Sequence, residues 1–211
     1  MDASITDDRF DRDLRRRQLA RRLISHKART QTIFELTSLT RHQLATLRRR
    51  WLVTQETRLR GPSPKSFAVF FSSARARSEA AALATLCRVL GSAPRDRRAS
   101  SGVKLSGLDV GERLCEIFEV YAACLQRPEF EFEHLALLAR GLARGDAIAV
   151  GNCTICHGTI LVDLFATRRL VCSHCLQCLR SKPDYGNVRS NISELSALSE
   201  DQTQSIQNEL F

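Results

Sequence analysis

A mainly α-helical chain ending in a small cysteine-stapled ribbon is the fold class this sequence predicts. Three observations carry that expectation. Apolar residues recur at helical spacing through most of residues 9–146. Two Cys-x-x-Cys pairs, Cys153/Cys156 and Cys172/Cys175, stand near the C-terminus with fifteen residues between them. Strand-forming residues gather only around those pairs, at Ala147–Val150, Thr159–Val162 and Leu170–Val171. With 211 residues, 43% of them apolar, the chain can bury a sizeable core.

The elements follow in order. Residues 9–36 read as helix, with Leu14, Leu19, Leu23 and Ile24 near helical spacing and no Gly or Pro before Gly61. Thr37-Ser38 makes a short turn. Thr40 then caps a second helix, because Gln43 three residues on completes a capping box. Leu44, Leu47 and Trp51 share one face of that helix, and Arg41, His42, Arg48, Arg49 and Arg50 the other. Gly61-Pro62-Ser63-Pro64 is a firm break. A third helix runs from Phe67 to Leu90, and 91–107 is a linker rich in Ser, Arg, Gly and Pro. A helix over Gly111–Gln126 ends at Pro128. One more covers Phe132–Leu142, with Gly145 as its stop.

Four parts result: a basic helical region at 1–60, a helical core at 61–146, a four-cysteine ribbon at 147–181, and a polar tail at 182–211. In that tail Ile192, Leu195 and Leu198 can form an amphipathic turn.

Charge is uneven. Residues 1–100 hold 22 Lys and Arg against 9 Asp and Glu, and residues 101–211 hold 10 against 14. A basic half joined to an acidic half suits a polyanion partner, with a solvated arginine-rich surface as the competing reading. No run of uncharged apolar residues reaches membrane-spanning length, and Met1–Arg22 has no apolar signal region. The expectation is therefore a chain that makes no membrane association and works in a reducing cytoplasm.

In each cysteine pair, two intervening residues let one turn present both sulfurs to one ion. Cys153, Cys156, Cys172 and Cys175 together make a closed four-thiolate set with no open position for a substrate water, so one structural zinc per chain is expected. Gly158 stands where backbone would approach sulfur closely. Cys178, His157 and His174 lie close enough in sequence to substitute for one ligand, and an iron–sulfur cluster is the competing centre. Strand formers between the pairs favour the zinc ribbon. Cys87, Cys115 and Cys124 fall on apolar helix faces and read as buried free thiols.

The segment Ala28–Trp51 reads as a helix-turn-helix. Its second helix offers Arg41, His42, Gln43 and Thr46 near its N-terminus, the end that meets base edges, while Arg48, Arg49 and Arg50 suit phosphates. Ser38 stands in the turn where glycine is usual, and Phe34 where a small residue is usual. Catalysis finds no phosphate loop and no nucleophile motif, so the chain reads as non-enzymatic. Glu129, Glu131 and Glu133 at a helix start are placed by the helix dipole, in preference to a catalytic carboxylate pair.

Taken in order, these residues resemble a known family. Arg12-Asp13-Leu14, then Thr37-Ser38-Leu39-Thr40-Arg41 before an arginine-rich helix, then Gly61-Pro62-Ser63-Pro64-Lys65 and the C-terminal cysteine pairs resemble the flagellar transcriptional regulator FlhC, over about residues 12–180. The resemblance implies a mostly helical fold and zinc on Cys153, Cys156, Cys172 and Cys175. It also implies a heteromeric complex with an FlhD-like subunit, double-stranded promoter DNA as ligand, and recruitment of RNA polymerase to flagellar operons. On that basis Phe67, Phe70, Phe71, Phe118, Tyr121 and Phe132 are expected to supply an exposed partner surface; packing inside one core is the other possibility. The alternatives in function are a zinc-ribbon scaffold that binds only protein and a paralogous regulator of non-flagellar genes.

Overall fold

The computed structural model describes residues 3–51, 63–91, 106–166 and 170–181. Gly61-Pro62, most of the expected linker and the polar tail with Ile192, Leu195 and Leu198 lie outside the described residues. The chain forms two compact units, Met1–Cys172 and Ser173–Phe211. The described residues are mainly helical, with one two-stranded antiparallel sheet.

Helix α1 (Ala3–Ser25) and helix α2 (Thr30–Thr37) replace the single helix expected over 9–36. The break has no glycine or proline. Lys27 takes a left-handed conformation (φ 61°), its N–H bonds the carbonyl of Ile24, and the N–H of Ala28 returns to that of Leu23 at 2.9 Å. Lysine at such a position costs about 1 kcal/mol, which the carbonyls satisfied at the helix end help to offset. Ser38 ends α2 in the same way (φ 57°), its N–H on the carbonyl of Phe34. Helix α3 (Arg41–Trp51) starts as its sequence predicts: Thr40 N–H donates to Gln43 Oε1 at 2.8 Å and Gln43 N–H to Thr40 Oγ1 at 3.3 Å.

The helix expected over 67–90 is also divided. A 3-10 turn covers Phe67–Phe71, and Ser73 caps α4 (Ala74–Val89) by accepting from Ala76 N–H. Helix α5 (Gly107–Cys124) begins four residues earlier than expected because Ser106 and Asp109 form a capping box. Helix α6 (Phe132–Arg144) stops at Gly145, whose φ of 65° makes the left-handed cap. Strands β1 (Ile148–Asn152) and β2 (Thr159–Asp163) pair from Ile148 opposite Asp163 to Asn152 opposite Thr159. Leu170 and Val171 lie outside the sheet, contrary to expectation. In the second unit, α7 spans Ser173–Ser181.

One apolar core runs through the first unit, from Leu19, Leu23, Ile33 and Leu44 to Phe70, Leu83, Ile117, Leu138 and Ile148. The six aromatics expected at a partner surface belong to it. Phe70, Tyr121 and Phe132 are buried, and Phe67, Phe71 and Phe118 are half-buried against the same cluster. Phe118 and Phe132 meet edge to face, and His26 stacks on Phe132. None of the six is exposed among the described residues, contrary to the expected partner surface.

Ion pairs run along α1 and α5. Arg15 holds Asp109 at 2.6 Å and Glu112 at 2.5 Å; Arg22 holds Glu119 at 2.9 Å, with His26 on the same carboxylate. Part of the basic charge at 1–100 is thus matched within the chain. Two carboxylates go deeper. Glu79 accepts from Arg75, from the Tyr121 hydroxyl and from Glu129 N–H. Burial would raise the pKa of Glu79, but these donors hold it below the ordinary value. Glu133, 1% exposed, accepts from Arg29 N–H, Thr32 Oγ1 and Ser63 Oγ at 2.8, 2.9 and 3.1 Å. Among the described residues no helix is long and apolar enough to cross a membrane.

Candidate metal centre and nucleic-acid interface

The turn between β1 and β2 is built from the first cysteine pair. Cys153 N–H bonds Gly158 O at 2.8 Å, closing the hairpin, and His157 N–H bonds Cys153 O at 2.9 Å. His157 carries the positive φ (57°) that this tight turn needs. Gly158, expected to be required beside sulfur, is not: a Cβ there would lie 3.4 Å from Cys156 Sγ, an ordinary contact. The second pair comes from a different element than expected. Instead of a strand, the chain at Leu170 accepts from Thr154 N–H at 2.8 Å; Cys172 follows, and Cys175 stands in the first turn of α7.

The ligand atoms of Cys153, Cys156, Cys172 and Cys175 all lie within 4.8 Å of one another. A tetrahedron of sulfurs about 2.3 Å from a central ion has edges of about 3.8 Å. Cys156 Sγ and Cys172 Sγ are 3.7 Å apart, which fits that edge and is far from the roughly 2.05 Å of a disulfide. Backbone donors also favour thiolate. Burial would raise the Cys153 thiol, yet the N–H groups of Cys156, Cys172 and Ile155 bring it down to about 6. The donor set therefore suits one metal ion.

The other cysteines are not among these four. Cys178 is exposed and lies 3.7 Å from His174 Nε2 on α7. Cys87 and Cys115 are buried, as expected, and burial pushes the Cys115 thiol up to about 12. Cys124, expected on an apolar face, is exposed.

Helices α2 and α3 meet at the Ser38–Thr40 turn, with Ile33, Leu39 and Leu44 buried between them and α1. The turn residue in left-handed conformation is Ser38 (φ 57°), where the helix-turn-helix expected from the sequence usually has glycine. Phe34 is 44% exposed, so its bulk is not forced into the interhelix space. On α3, Arg41, His42, Gln43, Arg49 and Arg50 are exposed. Gln43 uses its side-chain oxygen on the capping box, leaving its NH₂ outward. Thr46 is half-buried and donates to His42 O at 3.1 Å. Arg48 turns inward: its Nη1 donates to Thr30 Oγ1 at 2.6 Å and its Nη2 to Ala28 O at 3.1 Å. Glu129 and Glu131 flank the start of α6, where Glu131 forms a capping box with His134.

The sequence did not single out Thr30 or the Ala28 carbonyl as partners of Arg48, and it placed Glu133 by the helix dipole alone, without its buried bonds to Arg29 N–H, Thr32 and Ser63. Comparison with known protein families finds no match, and comparison with curated proteins finds none either.

Proposed function

We propose that the chain is a sequence-specific, DNA-binding transcriptional activator with one structural zinc, non-enzymatic and cytoplasmic. The observation that carries the reading is the α2–α3 unit. Two helices joined by a short turn bury Ile33, Leu39 and Leu44, and the second holds Arg41, His42, Gln43, Arg49 and Arg50 in solvent, which supports reading the unit as a helix-turn-helix. Residues at the start of such a helix read base edges, and guanidiniums at its end neutralise phosphates. The four thiolates support zinc over an open catalytic metal, because no fifth ligand or substrate position is needed. The resemblance to FlhC adds an FlhD-like partner, recruitment of RNA polymerase and flagellar operons to this proposal.

The test is binding of the full chain to duplex DNA, followed by fluorescence anisotropy over a range of salt. Activator function predicts affinity falling steeply with salt, and a pull-down from native cells that brings a small helical protein with DNA. No DNA binding at any salt would favour the alternative, a zinc-stapled scaffold that binds only protein.

A further inference from the structure

Arg48, Arg49 and Arg50 are three consecutive guanidiniums at the end of α3, and their chemistry is identical. Their surroundings are not. Arg49 and Arg50 are exposed, and the Nε of Arg49 makes a long 3.4 Å bond to the carbonyl of Ala45 in its own helix. Arg48 follows buried Leu44 by one turn and precedes half-buried Trp51 by another, so it belongs to the inward stripe. Its planar fork closes on two acceptors of a different segment, Thr30 Oγ1 and Ala28 O.

That segment is itself fixed. Glu133 of α6 accepts from Arg29 N–H and Thr32 Oγ1, so residues 28–32 are held by a guanidinium from one side and a buried carboxylate from the other. We infer that Arg48 is a positioning residue, which sets the angle of α3 against residues 28–32, while Arg49 and Arg50 make the phosphate contacts. The inference rests on the DNA-binding reading above. To reach a phosphate, Arg48 would have to give up both bonds, including the one to the carbonyl of buried Ala28. Base edges are read only from a helix held at one approach angle, whereas phosphate contacts tolerate small rotations. Arg48 therefore acts on discrimination between sequences, and its neighbours act on general affinity.

The experiment measures affinity against salt for the full chain on two short duplexes. One is enriched from a random pool by the wild-type chain, and the other is a shuffled duplex of the same composition. Variants are Arg48→Ala, Arg48→Lys, Thr30→Val and Arg49→Ala. Thr30→Val removes the acceptor without touching any charge and conserves volume, so it reports even if Arg48→Ala folds poorly. The expected result is that Arg48→Lys and Thr30→Val each lower the preference for the enriched duplex about tenfold. Both should leave the slope of log affinity against log salt unchanged. Arg49→Ala should reduce that slope by about 0.9 and leave the preference intact. The inference is overturned if Arg48→Ala reduces the slope as Arg49→Ala does while Arg48→Lys restores affinity, since lysine serves a phosphate but cannot span two acceptors. If the wild-type chain binds neither duplex in a salt-dependent way, the DNA-binding reading fails, and this inference with it.

Discussion

Glu133 caps a helix from 104 residues away: its Oε1 accepts the N–H of Arg29, the residue just before α2, at 2.8 Å. Helix N-termini carry unsatisfied N–H groups and partial positive charge, and they are usually served by a nearby Ser, Thr, Asp or Asn. Arg29 has no side chain for that work, and α6 supplies the carboxylate instead. The α2–α3 unit is thereby fastened to the helical body by a bond in the core.

Glu133→Ala should cost about 3 kcal/mol, because it leaves one N–H and two hydroxyls to find new partners in a buried place. Glu133→Gln should cost about 1 kcal/mol, since Thr32 and Ser63 can rotate their hydroxyls to accept from the new NH₂. Urea denaturation of both variants beside the wild type measures the difference. Equal costs for the two would mean that charge, not hydrogen bonding, holds the cap.

Metal content should be one ion per chain, and its removal should unfold the hairpin end while α1–α6 persist. Cys172→Ser should lose the ion, because its sulfur stands 3.7 Å from that of Cys156 in the four-thiolate set. Cys178→Ser should keep it. Elemental analysis after gel filtration, together with amide exchange of β1 and β2 before and after chelation, reads both effects. Loss of metal in Cys178→Ser with retention in Cys172→Ser would reassign the ligands.

Acid should weaken the fold through Glu79. Its folded pKa lies below the ordinary 4.5, so the stability it contributes is complete above that value and is lost as pH falls towards the folded pKa. Glu119, held down by Arg22 and His26, adds in the same direction. Thermal melting between neutral pH and pH 3 should show a decline beginning below about 4.5. The decline should be shallower in Glu79→Gln, which no longer titrates. An identical decline in that variant would place the acid sensitivity elsewhere.

Gly111 lies where α5 packs closely against Leu19 of α1 and Leu36 of α2. A Cβ built there would sit 2.7 Å from Leu19 Cδ2 and 3.3 Å from Leu36 Cβ. Gly111→Val should therefore destabilise by about 2 kcal/mol through overpacking. Gly111→Ala gains about 1 kcal/mol in helix propensity against a smaller clash, and should fall near neutral. Guanidinium melts of the two variants test the ordering.

Most elements were legible in the sequence because their signals are local. Thr40 and Gln43 formed the capping box their spacing predicts, and Gly145 ended α6. The cysteine pairs came together because their spacing is a property of turns. What escaped depends on distant partners or on unusual backbone. Lys27 breaks α1 from α2 in a left-handed conformation that lysine rarely takes, so nothing in the local composition announced it. The Ser73 cap that divides the 3-10 turn from α4 lies within a helical apolar pattern. Arg48 was grouped with outward arginines although Leu44, four residues before it, marks an inward stripe. The six aromatics were assigned to a partner surface because helix faces alone do not reveal how many helices share a core.

The pairs Arg15–Glu112 and Arg22–Glu119 share one offset of 97 residues, which makes α1 and α5 parallel and in a fixed register. Parallel neighbours cannot be joined by a short turn, so the chain must build α2, α3 and α4 before α1 meets its partner. Contacts of such long sequence separation slow folding, since the loop must close before the contact is formed. During synthesis α1 emerges before α5, so Arg15 and Arg22 wait for Glu112 and Glu119. The rate of reaching the native state should thus depend on salt, because screening weakens the attraction that draws this seam together.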